Sequence, residues 1–137
     1  FLTAAAEGLA PCDAILAVFE AAADPAHGGG LPPGCLLVNT ALELSPHDPE
    51  VRARVNASLA LVEHFFLEKL TLALADGSAA PTLDPKATAK ALLGLFLGLR
   101  VLVRSDMDGT AVSAVITQAR QMLTRDSGAT ADQGRTR

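Results

Sequence analysis

The sequence predicts an all-α fold, a bundle of about five to six helices, and three observations lead there. Half of the 137 residues are hydrophobic and 19% are charged, which supplies a core for one domain and is too little charge for a disordered chain. Trp and Tyr are absent and Phe is scarce, so Leu, Val and Ala must fill that core, and Ala and Leu are strong helix formers. Pro and Gly residues then cut the chain into five apolar segments whose apolar positions recur at helical spacing.

The first segment runs from about Pro11 to Ala23, with Pro11 suited to a first helical turn and Ile15, Val18, Phe19 and Ala22 on one face. Residues 1–9 read as the tail of a preceding helix, and a chain that opens on Phe1 suggests missing upstream sequence. Residues 24–34 hold four of the eleven glycines and three of the eight prolines, a density that predicts a loop or lid edge. A second helix is expected over about Cys35 to Leu44. The third is long. Asp48 is its N-cap, Pro49 its first residue and Glu50 an acid at its positive end, and the apolar pattern continues from Val51 to Ala73 before Asp76 and Gly77 stop it.

Asp84 and Pro85 repeat that start signal for a fourth helix reaching about Arg104. From Ala91 to Val103 it is apolar on nearly every side, more than a small domain covers by itself, so a second molecule is expected against one face. Gly94 and Gly98, four residues apart, would let another backbone come close. A fifth helix follows over about Thr110 to Thr124, its apolar face made by Val112, Val115, Ile116, Ala119, Met122 and Leu123. The expected division is a folded domain over residues 1–125 and a disordered tail over 126–137.

The totals narrow the function classes. A net charge of −4, with basic residues grouped only as Arg52 with Arg54 and Arg100 with Arg104, leaves no basic face for phosphate, so this chain is not expected to bind DNA by itself. The longest apolar run, Ala91 to Leu99, is too short to span a membrane, and nothing resembles a signal peptide. Two cysteines, Cys12 and Cys35, fit a reducing, cytoplasmic setting better than a disulfide scaffold. Enzyme chemistry finds no support: His27, His47 and His64 lack metal-ligand spacing, the glycines at 28–30 follow no strand, and there is no nucleophile elbow. No cofactor or metal is implied.

The stretch from Gly34, Cys35, Leu36 and Leu37 through Asn39, Glu43 and Leu44, followed by Asp48 and Val51, resembles the regulatory half of tetracycline-repressor-like (TetR-family) transcription factors. The segment from Ala91 to Val101, then Val112 and the closing helix, is similar to the same branch, and the resemblance covers about Pro11 to Leu123. It implies a bacterial repressor's homodimer, formed by the last two helices of each subunit as a four-helix bundle, and a small apolar or amphipathic effector bound among the other helices. DNA would be read only by an N-terminal helix-turn-helix, which this sequence does not contain.

On that reading the ligand-binding candidates are Phe19, Cys35, Asn39, Leu61, His64, Phe65 and Phe96, and the dimer-interface candidates Leu92, Leu95, Leu99, Val103, Val112, Val115 and Ala119. Each has a plainer alternative. Cys35, at a helix start, is either an activated thiol that senses electrophiles or oxidants or a small buried hydrophobe. Asn39 sits with Thr40 and Glu43 on a polar stripe that either orients a ligand in an apolar pocket or faces water; a carboxylate costs too much to bury alone, so Glu43 belongs at solvent. His64 and the phenylalanines read as ligand contacts or as surface and ordinary core. Arg100 and Arg104 suit the end of their own helix, with an inter-subunit pair to Asp106 or Asp108 as the alternative. A helical protein-interaction module without a small ligand is the second reading of the whole chain.

Overall fold

The computed structural model describes residues 2–24, 40, 43, 46–105 and 109–124. Among them the chain forms α1 (Leu2–Ala5), α2 (Pro11–Ala23), α3 (Pro49–Ala75), α4 (Pro85–Arg104) and α5 (Gly109–Leu123), with no strand. Of the helix expected over 35–44, Thr40 and Glu43 are described and helical, and the remainder lies outside the described residues, as do the loop over 25–34 and the tail from 125.

The two long helices start as their sequences dictate. The Asp48 carboxylate accepts from the amides of Glu50 and Val51, and Pro49 needs no partner for an N–H it lacks. Asp84 does the same for Lys86 and Ala87 ahead of Pro85. α3, at 27 residues, is about 40 Å long at ~1.5 Å per residue. It ends where Gly77 takes a positive φ of 77°, a conformation costly for any residue with a Cβ. The chain then folds back: Ala79 N donates to Ala73 O at 3.0 Å and Ala80 N to Leu123 O at 3.4 Å, so this one loop closes the C-terminal ends of both α3 and α5.

α2 is the centre of the bundle and packs against all four other helices. Ile15, Val18, Phe19 and Ala22 are fully buried, the face expected from their spacing. Around them lie Phe66, Leu70 and Ala73 of α3, Ala89, Leu92 and Leu99 of α4, and Ala119 and Leu123 of α5. Each large side chain fully buried here contributes roughly 1.5–3 kcal/mol. The most extensive helix pair is α3 with α4, an antiparallel hairpin tied on its outer edge by Lys90 Nζ donating to Glu63 Oε1 at 2.7 Å. The first half of α3 reaches past this core, and Leu61 on it is 71% exposed.

Candidate functional site

Two features of the bundle have more structure than holding one subunit together requires. The first is α4. Ala89, Leu92, Phe96, Leu99 and Val103 are spaced alternately by three and four residues and form its inner seam, buried except for the partly covered Val103. On the opposite side a second seam has the same spacing: Ala87, Ala91, Gly94, Gly98, Val101 and Ser105, every one exposed. Such a 3.5-residue repeat is the pattern by which one helix lies along another. The outer seam is made of small residues, and a Cβ placed at Gly94 or Gly98 would meet nothing within 4 Å. Val101, at 46% exposure, is the large apolar side chain left on it.

This geometry sorts the expected interface residues. Leu92, Leu99 and Ala119 are fully buried in their own subunit and are not available to a partner. The cause is phase: in a helix apolar on all sides, composition does not say which face the subunit takes, and the larger side chains went inward. Leu95, Val103, Val112 and Val115 are half-buried at the edges of the core. The open positions Ala87, Ala91 and Val101 were legible as a heptad, and of this seam only Gly94 and Gly98 were singled out from sequence.

The second feature is an aromatic cluster where α2, α3 and α4 meet. Phe19 touches Phe66 with ring centroids 5.8 Å apart and meets Phe96 edge-on at 5.7 Å. Phe66 also stacks edge-to-face with Phe65 at 5.6 Å and Phe96 at 6.1 Å, the arrangement that ring quadrupoles favour. Phe19 and Phe66 are fully buried; Phe65 and Phe96 keep a narrow exposed edge, and Lys69 lies over the Phe65 ring at 5.7 Å. The expected ligand contacts Phe19, Phe65 and Phe96 are thus brought together as packed core. Leu61, one turn before Phe65 on the same face, is exposed instead of buried, and His64 is exposed beside it. Cys35 and Asn39 lie outside the described residues. Glu43 is exposed, where a carboxylate keeps its hydration.

Arg100 departs from expectation. It does not serve the end of its own helix: its half-buried guanidinium donates from Nη1 to Ala22 O at 3.1 Å, at the C-terminal end of α2. Asp106 and Asp108 lie outside the described residues.

Residues 11–122 match the family described as "Tetracyclin repressor-like, C-terminal domain". The chain belongs to this family. No curated protein and no solved structure matches it. Tetracycline-repressor-like C-terminal domains have a regulatory role, in ligand binding and dimerisation, and are not enzymes. The all-helical bundle agrees with that family, and among the described residues no helix is long and apolar enough to cross a membrane and no group of side chains could hold a metal ion.

Proposed function

We propose that this domain is the effector-binding and dimerisation half of a DNA-binding transcriptional repressor, and that its dimer forms through α4 and α5 of each subunit. The observation that supports this reading is the exposed outer seam of α4. Its side chains are small enough for two helices to approach closely, and it is uncharged between Lys90 and Arg104, apart from Arg100, which turns away to α2. The partly covered Leu95, Val112 and Val115 would complete the interface from the rim of the core. The effector would be a small apolar or amphipathic molecule, entering beside Leu61 and the exposed edge of Phe65 toward Phe19 and Phe96, with His64, Cys35 and Asn39 as its polar contacts. Binding acts by population shift: a molecule that favours one packing of these helices biases the dimer, and with it the spacing of the DNA-binding units the whole repressor carries.

Sedimentation equilibrium at micromolar concentration tests the dimer. The expected mass is twice that of the chain, and Gly98→Leu should return it to one copy while the subunit stays folded, since the new side chain meets no atom of its own subunit within 4 Å. A wild-type monomer at that concentration overturns the proposal.

A further inference from the structure

The Arg100–Ala22 hydrogen bond joins positions 78 residues apart. It falls where a helix most needs a donor. Ala22 belongs to the last turn of α2, whose carbonyls have no partner within the helix and gather the negative end of its dipole. One turn earlier on both helices, Phe19 and Phe96 meet edge-on at 5.7 Å. The two contacts form a short ladder, aromatic and then cationic, between α2 and α4, which run in the same direction at this seam. A third contact, Glu20 with Arg120 Nη2 at 3.5 Å, reaches α5 from the same turn of α2. The end of α2 is therefore tied by polar contacts to both helices proposed to form the dimer, whereas its first turn has a thiol–hydroxyl contact, Cys12 Sγ with Ser78 Oγ at 3.8 Å, and its middle packs through apolar side chains.

We infer that Arg100 is a latch: it holds the last turn of α2 closed on α4, and its release lets the seam between Phe19 and Phe96 open to an apolar molecule. Only the entry of that molecule rests on the proposed effector site; the closed seam belongs to the chain itself. The same residue links that seam to the dimer helix, because Arg100 projects inward from α4 between Gly98 and Val101, which face outward. A molecule wedged between the two phenylalanines pushes α2 away from α4, so it must lengthen or break the bond from Arg100. With the guanidinium gone, the Ala22 carbonyl loses a charged donor and the closed seam is favoured about tenfold less.

The test is amide hydrogen exchange on the whole chain, in the wild type, Arg100→Met and Arg100→Lys, with and without the neutral apolar fluorophore N-phenyl-1-naphthylamine. Arg100→Met keeps the stem and removes the donor, and should speed exchange at Ala23 and Asp24 by about tenfold without changing exchange at Leu70. Arg100→Lys, which keeps charge and donor, should restore most of the protection. The fluorophore should bind Arg100→Met several-fold more tightly than the wild type. Equal acceleration at Leu70, or no rescue by lysine, overturns the latch and leaves Arg100 as ordinary packing. Faster exchange at the end of α2 with the fluorophore bound equally well by the wild type and Arg100→Met overturns the gating role. Faster exchange with no fluorophore bound by any of the three proteins sinks the effector site while the closure stands.

Discussion

Asp48 and Asp84 make the same cap. Each carboxylate accepts from the second and third amides of its helix, at 2.8 and 3.2 Å for Asp48 and at 2.9 and 3.2 Å for Asp84, with proline at the first helical position. The α3–α4 hairpin is thereby started at both ends by one device, an acid followed by proline. Replacing either aspartate by alanine should cost about 1 kcal/mol, measured by urea unfolding, because two amides lose their acceptor. No loss at either position would mean that the caps are not made in solution.

Phe66 is the hub of the aromatic cluster, in contact with Phe19, Phe65 and Phe96 and fully buried. Phe66→Ala should destabilise the domain by about 3–5 kcal/mol, the range for removing a ring from a core that collapses only partly. Leu61→Ala, one long turn away and 71% exposed, should cost little. Similar losses at the two sites would show that Leu61 is covered in solution.

Gly94→Ala separates the two roles of α4. Within one subunit the added methyl meets nothing within 4 Å, so better helix propensity should stabilise the subunit by up to ~1 kcal/mol. In the proposed dimer the same methyl stands where the second helix approaches, and the dissociation constant should rise. Unfolding at high dilution and sedimentation at higher concentration read the two effects separately; a variant that gains stability without weakening association would remove Gly94 from the interface.

The Asp76 carboxyl is held below its ordinary value of 3.8 by hydrogen bonds from the Ser78 side chain and backbone amide, the latter at 2.9 Å. A carboxyl lowered in the folded state contributes stability that is complete above the ordinary value and is lost as pH falls through the folded one. An NMR titration should therefore place its midpoint below 3.8, and Ser78→Ala should move it part of the way back, since the backbone donor remains. A wild-type midpoint at or above 3.8 would mean that the turn is open.

Much of the bundle was readable in advance because its signals are local. The acid–proline starts, the stop at Gly77 and the inward face of α2 each depend on residues within a turn or two of one another. The inward face of α4 was not readable, because periodicity tells which residues share a side and leaves open which neighbour covers it; Leu92 and Leu99 turned to their own core for that reason. Arg100 escaped because its acceptor is a backbone carbonyl 78 residues away, which no side-chain pattern marks. In the candidate site, Phe66 was legible on the apolar face of α3, but its meeting with Phe19, Phe65 and Phe96 was not, because spacing along one helix does not say which rings of other helices face it.

The chain has neither tryptophan nor tyrosine, and the four phenylalanines among the described residues meet in the cluster at α2, α3 and α4. The near-ultraviolet circular dichroism of the described bundle therefore arises from a single place. Any event that loosens that junction can be followed optically in the unlabelled protein, without a reporter having to be engineered in.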